Sequence, residues 1–311
     1  MRMKSVLLSA VTILALLPCV AQDGAPARPK ITGISFVRFY ESDMDAARVF
    51  YRERLGLREV GRGPQFNEFE VNSKQVIVTV PLAADASPNR LASVGFRTTD
   101  LNAMERYLQA KQIAVEQMPG PSLRLHSPEG TEVWFEPDQP VKRKGDIEVL
   151  FFHGKAFKPA AARIIHAGWG VRDEAAEDKL FVDVLGFRPY WHGGAAPDKT
   201  EWVSLQVPDG TDWIEYMLKY DPEHDSPKTL GVLDHVSLGV EKITDVSDRL
   251  AANGWADEAT RKTQIGKDGK WQLNVYDPDM SRVEFMEFKP VQKPCCSEFT
   301  GTHPAQGDKE P

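Results

Sequence analysis

The chain has 311 residues, 41% of them hydrophobic and 9% aromatic, enough for roughly two domains with real cores. Its formal net charge of −7 argues against a nucleic-acid partner, which would want basic surface to neutralise phosphates. No run of like charge is long enough to serve as an interaction tail.

Residues 1–21 read as an export signal: Arg2 and Lys4 precede a short apolar core from Val6 to Leu17, and Cys19-Val20-Ala21 offers a cleavage site. The apolar stretch is too short for a membrane span, so no transmembrane anchor is expected. Lipid attachment at Cys19 is the less favoured alternative, because Pro18 sits awkwardly before it. The expectation is a periplasmic or secreted mature protein.

Ile31 to Val37 is predicted as a strand, followed by a helix from near Ser42 that Asp43 caps and Gly56 ends. Strands at 67–71 and 74–80 flank the Asn72-Ser73 turn, and 81–89 is a connector. A second round follows: strand 92–97, helix 100–110, strand 122–126, the turn Ser127-Pro-Glu-Gly130 and strand 131–136. Residues 139–161 form the expected linker, with a possible added strand at 147–152.

The pattern then restarts with strand 163–171, helix 173–185 ended by Gly186, strands 201–207 and 212–218, and a connector at 222–229. Strand 234–240, helix 243–253 and strands 271–276 and 282–288 complete it. Phe50-Tyr51…Leu55-Gly56-Leu57 matches Phe181-Val182…Leu185-Gly186-Phe187, and Ser127-Pro-Glu129 matches Asp277-Pro-Asp279. The fold class is therefore α+β: four βαβββ units paired into domains at 31–138 and 162–289. The polar, Pro- and Gly-containing stretch 290–311 is expected to be a disordered tail. Its adjacent Cys295 and Cys296 close no useful loop if paired; a soft-metal or redox role with His303 is the alternative.

In the third unit His166 and Glu215 lie 49 residues apart, and in the fourth His235 and Glu284 repeat that spacing. Two imidazoles and two carboxylates at matched positions of a repeat are what a four-ligand metal site needs. Side chains alternate along a strand, so Gly168 and Gly170 share the face of His166, and Ser237 and Gly239 that of His235, leaving room for a ligand. The N/O set suits one divalent Zn, Ni, Co, Mn or Fe ion per chain. If Glu215 stays off the metal, two His and one carboxylate make an open facial triad.

The repeated strand–helix–Leu-Gly-Phe pattern and the late Asp-Pro-Asp…Val-Glu strand resemble the vicinal oxygen chelate superfamily, which includes glyoxalase I, extradiol dioxygenases and bleomycin-binding proteins. The resemblance spans about residues 31 to 289. It implies two glyoxalase-like domains with curved mixed sheets and a metal in one trough, held by His166, Glu215, His235 and Glu284. The first half departs from the pattern. Ser35 or Phe36, Ala92 or Ser93, and Val133 or Trp134 fall at the ligand positions, so that domain is expected to be metal-free. His126 reads as an ordinary strand residue.

The resemblance implies a glyoxalase-type lyase or isomerase acting on a small molecule with adjacent oxygens through a metal-stabilised enediolate, with Glu215 or Glu284 moving a proton. Tyr190, His192, Tyr216 and Lys219 are candidate trough residues. Extradiol ring cleavage is the alternative. It is weakened because Asn274 stands where that family's motif has a tyrosine and because 263–271 contains no histidine; Tyr276 and His192 are possible substitutes. A non-catalytic protein that binds a metal or small molecule is the third reading. The oligomeric state is left open.

Overall fold

A computed structural model describes residues 26–82, 89–140 and 159–306. The expected signal segment, the possible strand at 147–152 and most of the linker lie outside the described residues.

The first module contains β1 (Ile31–Glu41), α1 (Met44–Arg48), β2 (Arg58–Gly63), β3 (Phe66–Asn72), β4 (Gln75–Pro81), β5 (Leu91–Thr98), α2 (Leu101–Ala110), β6 (Glu116–Met118), β7 (Ser122–His126) and β8 (Glu132–Pro137). The second contains β9 (Ile164–Gly170), α3 (Glu174–Asp178), β10 (Arg188–Gly193), β11 (Trp202–Gln206), β12 (Trp213–Met217), α4 (Pro227–Leu233), β13 (His235–Val240), α5 (Ile243–Ala252), β14 (Thr263–Ile265), β15 (Trp271–Tyr276) and β16 (Arg282–Glu287). Each module is one eight-stranded mixed sheet, ordered β2-β3-β4-β1-β5-β8-β7-β6 and β10-β11-β12-β9-β13-β16-β15-β14. The four predicted βαβββ units are thus present.

The cap side chains explain the helix starts. Asp43 accepts from the amides of Asp45 and Ala46, Asp100 from Ala103, and Asp173 from Ala176. Both α1 and α3 run on as π-wound turns, Val49–Arg54 and Lys179–Val184, where helical periodicity predicts continued α-helix. Gly56 and Gly186 then take φ of 73° and 77°, which only glycine adopts freely.

Four short strands and one helix differ from the sequence reading. β2 is the polar edge segment REVGRG without apolar alternation, β10 carries a bulge, and β6 and β14 have three residues each. The expected connector at 222–229 runs into α4, with Ser226 as its cap and Pro227 at its first turn.

The main core lies on the helix-bearing faces and is continuous through both modules, from Ile34 and Phe96 to Phe187 and Val236. Two smaller clusters line the opposite, concave faces. The modules also exchange hydrogen bonds in a pseudo-symmetric way. Glu129, in the turn before β8, accepts from the amides of Arg172 and Asp173 ahead of α3. Asp279, in the turn before β16, accepts from the amide of Ser42 ahead of α1.

The register resolves which residues replace the ligands in the first module. Phe36 pairs with Gly95 and Gly95 with Trp134, as His166 pairs with Ser237 and Ser237 with Glu284. Ser93 matches His235, and Val78 matches Glu215. Arg38 stands where the second module has Gly168, and its guanidinium lies 4.9 Å from the ring centres of both Phe36 and Trp134. In the first trough the chain's own aromatic rings, with a cation against them, therefore occupy ligand positions, beside a cavity of about 310 Å³ that Phe36 and Arg38 help line.

The expectation of a disordered tail is corrected for residues 290–306. They pack along β10 and the loop before β15: the Cys295 amide donates to Lys267 O at 2.7 Å, and the Thr300 amide to Tyr190 O at 3.0 Å. The segment is polar in composition, but Phe299 buries against Tyr190 and Trp191, which supplies the apolar anchor that composition averages hide. Cys295 and Cys296 form a disulfide with each other.

Candidate metal centre

The four central strands of the second sheet, β12-β9-β13-β16, carry the four predicted residues. Parallel pairing puts Trp213 beside His166 and Arg282 beside His235. Each glutamate lies two residues further along its strand, so it returns to the same face as its histidine. Antiparallel pairing of β9 with β13 then sets Gly168 opposite His235 and His166 opposite Ser237. The repeated 49-residue spacing is this local two-fold relation.

All four converge. His166 Nε2 is 3.0 Å from His235 Nε2 and 3.2 Å from Glu284 Oε2, and His235 Nε2 is 3.3 Å from Glu215 Oε2. Among the described residues, His166, His235 and Glu284 form a compact buried triad with donor atoms within 4.8 Å of one another. Glu215 contacts His235 but is not in that triad. Its other oxygen accepts from Ser204 Oγ at 3.1 Å.

This donor set fits a metal. His235 Nδ1 must donate to the Leu233 carbonyl at 2.8 Å, because a carbonyl only accepts. In the neutral ring Nε2 is then a bare lone pair, aimed at the other imidazole nitrogen. Two nitrogens bound at about 2.1 Å and a right angle would be about 3.0 Å apart, the spacing of adjacent ligands on one ion. The Leu233 carbonyl is the kind of outer partner that fixes a ligating imidazole.

The local sequence allows this crowding. A Cβ on Gly168 would fall 2.0 Å from Cε1 of His235, so only glycine leaves space for that ring. His166 packs on Trp213 with ring centres 4.6 Å apart and stands nearly perpendicular to the His235 ring.

The electrostatics follow from burial and pairing. Burial pushes Glu284 up, but the His166 hydrogen bond and the charges of Arg282 and the histidines outweigh it, leaving about 2. Glu215 is held low by the same balance, burial against the His235 hydrogen bond and the imidazole charges. Burial and the Arg282 charge lower His235, favouring the neutral ring that coordination needs.

A cavity of about 540 Å³ lies over the site, walled by Tyr190, Trp191, Trp202, Trp213 and Phe299, with Glu215 and Glu284 in its lining. Lys219 reaches it and pairs with Glu201 at 2.7 Å.

Two expected trough residues lie elsewhere. Tyr216 is on the opposite face of β12 from Glu215 and packs in the main core against Trp169 and Phe181. His192 is exposed and outside the cavity lining, because the bulge between Pro189 and Trp191 turns Tyr190 and Trp191 inward and His192 away. Tyr276 is likewise outside the lining, and His126 is an exposed neighbour of Glu132 in the first module. Sequence reading missed Lys270, which is fully buried with its Nζ 4.6 Å from the Trp213 ring centre. It also missed Phe299 and Ser204. Ser204 faces Glu215 in the β11–β12 register, a relation only the strand pairing exposes.

Comparison with family models matches residues 163–285 to the Glyoxalase/Bleomycin resistance protein/Dioxygenase superfamily. No curated protein sequence matches. Among solved structures, an extradiol ring-cleaving dioxygenase from B. fuscum shares 18% identity at a TM-score of 0.62, covering 88% of this chain and 75% of that one. Homoprotocatechuate 2,3-dioxygenase from Arthrobacter globiformis shares 17% at 0.59, covering 84% and 80%. The 2,3-dioxygenase LapB from a Pseudomonas species shares 17% at 0.59, covering 90% and 96%. At these identities the likeness is one of fold, and it extends over both modules.

Proposed function

Residues 163–285 form a domain of the glyoxalase/bleomycin resistance protein/dioxygenase superfamily, and on that premise we propose that the chain is a metal-dependent enzyme that cleaves a small catechol-type ring. His166, His235 and Glu284 would hold one divalent ion. When bound, the ion supplies Lewis acidity toward two adjacent oxygens and, as Fe²⁺ on a two-His-one-carboxylate face, chemistry with dioxygen.

The chain's own residues supply the rest. The flat walls Trp191, Trp202, Trp213 and Phe299 suit a planar ring. Glu215 lines the same cavity, with one oxygen tied to Ser204 and the other beside His235. It is the group placed to accept a proton from a substrate hydroxyl and return it. Ring opening by dioxygen places both oxygen atoms in the product, so no reductant is required. The observation that carries this reading is the buried N₂O triad whose Glu284 lines an aromatic-walled cavity.

The expected glyoxalase-type isomerase remains the second reading, favoured by the 3.3 Å approach of Glu215 to His235, which would let it serve as a fourth ligand. Oxygen uptake by the Fe²⁺-loaded protein with catechols, beside hemithioacetal isomerisation by the Ni²⁺- or Zn²⁺-loaded protein, separates the two. Uptake with ring-opened product supports the first; isomerisation without uptake replaces it with the second. Residues 1–21 are proposed to direct export, which cleavage mapping of the mature N-terminus tests.

A further inference from the structure

The C-terminal segment 289–306 lies outside the family match yet forms one wall of the metal cavity. It is tied down at several points. The Val291 amide donates to Gly269 O at 2.9 Å, Trp191 Nε1 to Cys295 O at 3.2 Å, and Gln206 Nε2 to Thr302 O at 2.8 Å. Tyr190 Oη meets His303 Nδ1 at 2.7 Å. These ties deliver the Phe299 ring into the cavity lining, 4.9 Å from the Tyr190 ring and stacked beside Trp191.

Phe299 also covers Lys270. That side chain is fully buried, and its Nζ has no hydrogen-bond partner among the described residues. Its near surroundings are the rings of Trp213, Phe299 and Tyr190, at 4.6, 4.9 and 5.6 Å. A desolvated ammonium draws on such ring faces as well as on the carboxylates of Asp268, Glu284 and Glu215, so moving Phe299 would strip Lys270 of part of its compensation. Trp213 in turn packs on His166. The cavity wall and a metal-binding imidazole therefore share one support.

We propose that Phe299 is a specificity-determining residue that limits the width of the planar ligand reaching the metal. The inference rests on His166, His235 and Glu284 holding an ion, but not on which reaction follows. The ligand class is a flat ring bearing two adjacent donor atoms.

The test uses the Co²⁺-loaded full chain and two planar chelators with the same donor pair, 1,10-phenanthroline and its wider 4,7-diphenyl disulfonate. The rate at which each removes the ion is followed by the loss of the Co²⁺ spectrum. In wild type the narrow chelator should act at least about tenfold faster, a ratio typical of shape selection by an apolar pocket. Phe299→Ala should collapse that ratio and Phe299→Trp should widen it. An unchanged ratio in both variants, even with both rates raised by a loosened segment, would overturn the proposal. Elemental analysis of wild type separately reports the underlying metal reading: a folded chain that takes up no ion overturns both.

Discussion

His166 and His235 face each other through their Nε2 atoms at 3.0 Å, while Nδ1 of His235 is committed to the Leu233 carbonyl. Without an ion, two lone pairs or a shared proton must occupy that gap. Saturating divalent metal should therefore stabilise the fold, by about 2.7 kcal/mol at a free concentration one hundred times the dissociation constant. Thermal unfolding with and without chelator measures this. His166→Ala should abolish the shift.

Gly168 faces the His235 ring at a distance no Cβ tolerates. Gly168→Ala should leave the circular dichroism native-like but weaken metal binding by more than about tenfold, by displacing the ligand imidazole. Isothermal titration with Zn²⁺ reads the affinity. Unchanged affinity would contradict the geometry.

Glu215 distinguishes a ligand from a proton carrier. In the ring-cleaving reading, Glu215→Gln keeps the ion but lowers kcat by about 10²-fold or more. In the four-ligand reading the same change releases the ion as well. Metal content and turnover, measured on one preparation, separate the cases.

Glu41 at the module interface is almost fully buried and lies within side-chain hydrogen-bonding reach of Asp277 and Asp279. Burial, followed by the Asp277 charge, raises it far above the usual carboxylate range. A raised folded-state value means that its contribution is complete below the unfolded pKa of about 4.3 and is lost progressively as pH rises above it. Glu41→Gln, which is neutral throughout, should match wild type near pH 4 and melt higher at pH 8. A roughly 1 kcal/mol gain corresponds to about 2–4 °C in a chain of this size. Equal melting temperatures at pH 8 would contradict the account.

Arg38 lies in the first trough against the rings of Phe36 and Trp134. Arg38→Met should cost roughly 1 kcal/mol in lost cation–ring attraction and leave metal content at one ion per chain. A second bound ion would contradict the reading of that trough.

Much of the fold was legible because the repeat is written twice at the level of helix ends and turns, as at Leu55-Gly56 and Leu185-Gly186. The site was legible because strand alternation and the equal His-to-Glu spacings put His166, Glu215, His235 and Glu284 on one surface. Tyr216 shows the limit of reading by proximity: the residue after Glu215 on a strand must face the other way. His192 fails for a subtler reason, since a single bulge at Tyr190 reverses the phase. Phe299 and Lys270 were invisible because their roles depend on where a polar C-terminal segment folds back. No local pattern encodes that.

The central claim is one metal ion per chain on His166, His235 and Glu284, and elemental analysis after anaerobic reconstitution and desalting tests it most directly. Wild type should retain one divalent ion per chain, and His166→Ala and Glu284→Ala essentially none. A well-folded wild type without metal, or variants that keep it, would contradict the account.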